Sequence, residues 1–255
     1  MNRRRLLILC HFFPPLGGGG VHRVLGFTRY LPDHGWDCTV VCADRGDYWV
    51  TDESLLSEVR PGTEVSRVAG GSALSVWLRW WSHDQGRRSG SLFAGLRSLS
   101  DWWLLPDSYA GWAKRAAARG RFLFDRRRCG ATEYFDALLS SSPPDSVHLG
   151  ALDLKRRFGT PWVADFRDPW IGLNFREPKT RWHRGRQRRL EASVLEGADL
   201  VLTASRAHAD RLEHPPPDGP PVRRVVHLPN GFEPDAAAPP AGSGMTGAEI
   251  GRAHV

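Results

Sequence analysis

Apolar positions along the chain fall into short continuous runs, and between them lie segments whose apolar residues recur every three or four positions. The first run, Arg5-Leu6-Leu7-Ile8-Leu9-Cys10, has the length of a strand and stops at His11, followed by Pro14-Pro15 and Gly17 to Gly20. A helical stripe then starts at once, with Val21, Val24, Leu25, Thr28 and Leu31 on one face, and Gly35 closes it. Trp36 to Ala43 reads as a second strand, Asp52 to Val59 as a short helix and Glu64 to Val68 as a third strand. Tyr134 to Ser140 reads as a strand running into Ser141-Ser142-Pro143-Pro144, with a helix from Asp145 to Arg157 behind it. Pro161 to Phe166, Ala198 to Thr203 and Val222 to Leu228 complete the strands, the last stopping at Pro229-Asn230-Gly231. This alternation predicts an α/β, Rossmann-like fold, a parallel sheet with helices on both faces. Such sheets bind ligands at the carboxyl ends of their strands, where strand order reverses. Glycine, serine-proline and acidic-arginine clusters all follow predicted strands, so they are expected to share one rim.

Two stretches depart from the alternation. Residues 72–128 read as an inserted Trp-rich helical region, with Trp77, Trp80 and Trp81 on one face, then Leu92, Leu96, Leu99 and Trp103, and with Arg79, Arg87, Arg88 and Arg97 among them. Two readings stand for it: core packing of a helical pair, or an amphipathic surface resting on an anionic membrane. From Asp235 the pattern vanishes, and Glu249 to Val255 resembles the translation of a sequencing-adapter oligonucleotide. Residues 1–234 are therefore read as one domain. Residues 235–255 are read as a disordered tail, the mark of a truncated reading frame.

Composition narrows the class. An apolar fraction of 41% and a charged fraction of 25% over 255 residues are those of a globular protein. The net charge is +7, and only Lys114, Lys155 and Lys179 are lysines, so 32 of the 35 basic residues are arginines. Arginine matches phosphate oxygens with a planar fork of donors, although a general bias of composition toward arginine gives the same count. Cys10, Cys38, Cys42 and Cys129 show no metal-type spacing, and no metal site is expected. The first three fall in strands and read as reduced, buried small hydrophobes, which fits a cytoplasmic protein. Arg3-Arg4-Arg5 before an apolar run imitates a secretory leader, but that run ends too soon to form its core.

The glycine run does not have dinucleotide spacing, since the third glycine would fall on His22 or Arg23, and no Gly-Lys-Ser/Thr follows for a phosphate-binding P-loop. It reads either as a phosphate or sugar cradle or as a surface loop. Asp165-Phe166-Arg167-Asp168 ends a buried strand with three charges. Either Arg167 pairs internally with the aspartates, or it meets a phosphate while an aspartate meets a sugar hydroxyl. His148, early in a helix, reads as an acid/base or as a structural histidine.

Together these pieces resemble the N-terminal domain of family-4-like glycosyltransferases of the GT-B fold. The resemblance rests on Phe13-Pro14-Pro15 with Gly17 to Gly20, Gly35 to Val41, Pro106-Asp107 with Trp112, and Ser141 to Pro144. It continues through Trp162 to Trp170, Glu191 with Ala198 to Ser205, and Leu228 to Phe232. It implies an acceptor-side domain whose glycine loop approaches the donor diphosphate, retention at the transferred sugar, and no cofactor beyond a nucleotide-sugar substrate. The histidine that touches the sugar in many relatives has no counterpart here, because Arg167 holds its place. Arg167, Asp165 and Asp168 are the expected catalytic residues. Gly17, Gly18, Gly19, Gly20, Ser142, His148 and Asn230 are the expected substrate-binding residues. The expected function is sugar transfer to a glycan or lipid-linked acceptor in cell-surface or exopolysaccharide synthesis. It would take place in the cytoplasm, peripherally on the inner face of the membrane, with the donor half missing after Gly231. The rival is a non-catalytic Rossmann-like module that binds a membrane or a carbohydrate. A nucleic-acid partner has only the charge in its favour and none of the aromatic-basic sheet motifs.

Overall fold

The computed structural model describes residues 3–45, 50–69, 105–129, 135–172, 180–215 and 222–231, without the side chains of 127–129. Seven strands form one sheet: β1 (Arg4–Cys10), β2 (Trp36–Ala43), β3 (Glu64–Val68), β4 (Ala137–Ser142), β5 (Trp162–Phe166), β6 (Leu200–Thr203) and β7 (Val225–His227). Their order is β3-β2-β1-β4-β5-β6-β7 and every pairing is parallel. Strand order therefore reverses between β1 and β4, and the crevice of such a fold opens at their carboxyl ends. Among the described residues five α-helices accompany the sheet: α1 (Gly20–Tyr30), α2 (Ala110–Cys129), α3 (Ser146–Phe158), α4 (Arg181–Gly197) and α5 (Arg206–Glu213).

Both faces of the sheet are covered, which is why its strands read as continuous apolar runs. The pleat sends Leu7 and Leu9 of β1 and Val41 of β2 into one cluster, with Trp112 and Ala116 of α2, Val147 and Leu154 of α3, and Val194 of α4. Alternate residues Leu6, Ile8, Val40 and Cys42 enter a second cluster with Val24 of α1. Each large apolar side chain so buried contributes about 1.5–3 kcal/mol. Helices α2 and α3 pack closely because Gly150 lies against α2; a Cβ there would come within 3.0 Å of the Ala113 carbonyl oxygen. The three described thiols are buried. Burial pushes Cys38 up to about 11 and Cys42 up to about 12, and Cys10 rises as well, so all three are held as inert thiols.

The structure moves some expected boundaries. The strand expected at Tyr134 to Ser140 is displaced: β4 starts at Ala137 and runs through Ser142. Asp136 ends up outside it, its amide donating to the Arg5 carbonyl and its carboxylate accepting from the Arg5 amide. The three serines remain in the strand because each of the first two has a partner for its hydroxyl. Ser140 Oγ accepts from Trp162 Nε1 at 2.9 Å and lies 2.8 Å from His148 Nδ1, and Ser141 Oγ donates to Asp165 at 2.8 Å. The last strand is only Val225–His227, because its neighbour β6 is only four residues long. Of the inserted region, residues 70–104 and the stripes of Trp77, Trp80, Trp81 and Trp103 lie outside the described residues, as do the thiol of Cys129 and the tail 235–255. The described part, α2, buries Trp112, Ala116, Leu123 and Phe124 and is a core helix. No helix among the described residues is long and apolar enough to cross a membrane.

Candidate functional site at the carboxyl edge of the sheet

The chain leaves β1 at His11 and makes a proline-glycine turn before α1 begins. Arg67 of β3 fastens that turn through its guanidinium, which donates to the Pro14 carbonyl. Gly17 is buried and its amide is committed to the Val50 carbonyl at 2.9 Å. Gly18 and Gly19 are exposed, and no side chain caps Gly19 at the start of α1. Among the described residues nothing accepts the amides of Gly18, Gly19 and Gly20. They present open donors at the positive end of a helix dipole, the arrangement that binds anions.

Arg167, just after β5, reaches across the switch point to this loop. Its Nε donates to the Ser142 carbonyl at the end of β4, and its Nη1 donates to the Gly20 carbonyl at 2.6 Å. Gly20 permits the approach: a Cβ there would lie 3.0 Å from Nη1 and 3.2 Å from Nη2. Among the described residues Nη2 donates to no protein group, which leaves that part of the fork unengaged there beside the open amides. Burial lowers the pKa of the guanidinium from its usual value, while Asp165 and Asp168 oppose the shift.

Asp165 is taken up by Arg23 of α1 rather than by its chain neighbour Arg167. It is 0% exposed, and its carboxylate receives both Nε and Nη2 of Arg23 from α1, the shortest contact being 2.7 Å, besides the Ser141 hydroxyl. It is a buried anion whose ion-pair partner is Arg23. Arg23 goes further, its Nη1 donating to the Leu228 carbonyl at 2.8 Å, the Pro229 carbonyl at 3.3 Å and Asn230 Oδ1 at 3.1 Å. Asn230 thus sits on the same rim, engaged by Arg23. Arg23 was missed in the sequence because it lies off the apolar stripe of α1. The available signal was Asp165 itself, since a carboxylate in a buried strand requires a cation.

The remaining expected residues separate into rim and interior. Asp168 is exposed at the rim. Ser142 is buried there with its hydroxyl unpartnered. His148 is interior: 0% exposed, stacked on Phe166 at 4.3 Å and bonded to Ser140 through Nδ1. Burial lowers its pKa to about 3, so the ring stays neutral. His11 is a second buried histidine, ringed edge-on by Phe12, Tyr109 and Trp112 and lowered by burial to about 4. Loop residue Asp107 caps α3, accepting from the Ser146 amide and hydroxyl at 2.8 Å each. The described residues include no group of three His, Cys, Asp or Glu side chains able to hold a metal ion. What the edge offers is one partly free guanidinium, open amides and a neutral interior. That suits stabilising negative charge on a bound anion.

Residues 18–231 match the glycosyl transferase 4-like domain, and the chain belongs to that family. No curated protein matches it significantly in sequence. Among solved structures it is similar to a UDP-glucosyltransferase from Polygonum tinctorium capable of glucosylating indoxyl. The TM-score is 0.51 at 14% identity, covering 92% of this chain and 55% of that one. It is also similar to a UDP-glucose: anthocyanidin 3-O-glucosyltransferase solved with UDP, with a TM-score of 0.50 at 10% identity, covering 94% of this chain and 55% of that one. The chain thus has the Rossmann-like fold of GT-B glycosyltransferases and spans about half the length of these structures.

Proposed function

We propose that this chain is the acceptor-side half of a sugar transferase that takes a nucleotide sugar, with no further cofactor, and transfers the sugar with retention. The acceptor would be a glycan or lipid-linked glycan of cell-surface or exopolysaccharide synthesis. The observation that carries the reading is Arg167, bridged between the Gly20 and Ser142 carbonyls, with Nη2 unengaged among the described residues beside the open amides of Gly18 to Gly20. When a glycosidic bond to a diphosphate breaks, negative charge builds on the departing phosphate oxygens. Fixed donors already pointing at that charge lower the barrier without reorganising. Membership of the glycosyl transferase 4-like family and the fold support the class of reaction.

The test is made in a transferase that carries this half together with a donor-binding half. Arg167→Ala is expected to lower kcat by about 100-fold or more, the cost of removing one such donor. Gly19→Val should act in the same direction by crowding the approach to the amides. Unchanged transfer rates in both variants overturn the assignment.

A further inference from the structure

Arg23 ties together α1, which carries it, β5 through Asp165, and the stretch that leaves β7 through Leu228, Pro229 and Asn230. Its planar fork is divided between them. Nε and Nη2 are committed to the Asp165 carboxylate, at 2.9 and 2.7 Å, and the ring of Phe27, on the same helix, lies 5.5 Å from the guanidinium carbon. A guanidinium held at two donors by a buried carboxylate cannot rotate, so the direction of Nη1 is set from within the fold. Nη1 is aimed at the Leu228 and Pro229 carbonyls and at Asn230 Oδ1. That stretch has little else to hold it. Leu228 to Gly231 are exposed, and their other hydrogen bond among the described residues is donated by the Leu228 amide to the Thr203 carbonyl at 2.8 Å. One turn before Arg23, α1 opens at the unaccepted amides of Gly18 to Gly20, and the family match ends at Gly231.

We infer that Arg23 is a positioning residue for sugar transfer: it fixes the root of the link to the donor-binding half against the helix whose first turn presents the open amides. This role rests on the transferase reading and adds how the two sides of the cleft keep their register. Domains joined by an exposed link move relative to one another by default, and the residues that absorb such motion are a few positions at the ends of elements. A link loose at its root spreads the donor over many placements relative to the amides of Gly18 to Gly20. A misplacement of about 1 Å by a change far from the chemistry lowers a rate by about 100-fold. Arg23 removes that spread at its origin. Lysine cannot do the same, because an ammonium answers Asp165 as a point charge and has no fixed second direction.

The experiment has two arms. In the purified 255-residue chain, hydrogen exchange is followed at the Leu228 amide. Arg23→Lys should lose protection there while the amides of β1, β4 and β5 keep theirs. In a transferase that carries this half with a donor-binding half, Arg23→Lys should lower kcat by about 10–100-fold at saturating substrates. Arg23→Met/Asp165→Ala separates positioning from stability, since it removes the buried ion pair as a whole and leaves the exit stretch unheld. Its urea midpoint should return toward that of the parent while kcat stays low. At the exposed Asn230 folding is not at stake. Asn230→Ala should lower kcat in the same direction, and Asn230→Asp, which keeps an acceptor for Nη1, should lose less. Unchanged exchange at Leu228 in Arg23→Lys overturns the inference, as does a kcat that recovers together with the midpoint in the double variant. So does a larger loss in Asn230→Asp than in Asn230→Ala, the sign of a carboxylate repelling a bound anion. Arg167→Ala reads the charge-stabilising assignment separately. A loss there with active Arg23 variants defeats positioning alone, and the reverse pattern defeats that assignment alone.

Discussion

The two edges of the sheet solve the same electrostatic problem at different depths. At the carboxyl edge, Asp165 is fully buried and receives a forked guanidinium from Arg23 plus a serine hydroxyl. At the amino edge, Asp199 has a side chain 30% exposed and gathers Lys155 at 2.6 Å, Arg223 at 3.0 Å and the Trp162 amide at 2.8 Å. Asp199 has more cations, yet Asp165 matters more to the fold, because water can substitute for a partner only at the amino edge. Among the described residues, most buried side-chain atoms without a hydrogen-bond partner lie toward the carboxyl edge, at His11, Trp112, Ser142, His148 and His208, with Arg121 Nε in the second half of α2 the exception. At the amino edge the Asp199 carboxylate is fully answered, and Arg121 faces Asp153 at 3.2 Å. The carboxyl edge is held rigid from beneath by a buried ion pair and left incomplete above it, as a binding edge must be.

This contrast can be broken first at its strongest point. Asp165→Ala leaves Arg23 buried without its counter-ion and should cost about 3–5 kcal/mol in urea unfolding. Adding Arg23→Met should recover most of that loss, since an apolar pair of similar volume often replaces a buried ion pair without penalty. A single-variant loss below about 1 kcal/mol would show that water reaches Asp165 and that the two edges are alike.

Acid should sharpen the difference next. His11 and His208 are lowered to about 4 and His148 to about 3 by burial, and all three follow carboxyl ends of strands. In the unfolded chain they titrate near 6.5, so below that pH the unfolded state binds more protons and stability falls as pH drops toward 4. At pH 5 each fully buried histidine should cost on the order of 2 kcal/mol relative to pH 7. A urea midpoint that stays flat between pH 7 and pH 5 refutes this. Asp199 responds in the same direction but in a lower window: its lowered carboxyl pKa keeps its contribution intact at pH 5, to be lost only in stronger acid as pH falls through the folded value. The smallest effect belongs to Asp199→Ala, about 1 kcal/mol, because both its cations are partly solvated. A loss as large as that of Asp165→Ala would erase the distinction.

Most of the architecture was legible in the chain because each strand carries its own signal. Continuous apolar runs with glycine or proline behind them marked β1, β2, β3 and β5 to within a residue. Strand β4 was misplaced because serine is a poor strand signal on its own; Ser140 and Ser141 are strand residues only because Trp162 and Asp165 stand beside them. The candidate site divided in the same way. Gly18 to Gly20 and Arg167 were identified from local context and do meet at one rim. His148 carries the same residue type in a helix start, and nothing local distinguishes an interior ring stacked on Phe166 from one facing a ligand.

By itself the sequence determined the parallel α/β class and the convergence of its loops on one edge. Alternating strands and helices admit few topologies, and in those the strand ends share an edge. Only the tertiary structure decided which charge answers which. Asp165 has Arg167 and Asp168 beside it in the chain, yet its partner is Arg23, 142 residues away. Ion pairing in a buried place depends on distance and geometry after packing, and strand order 3-2-1-4-5 brings α1 over β5 while chain proximity turns Arg167 outward, to the glycine loop.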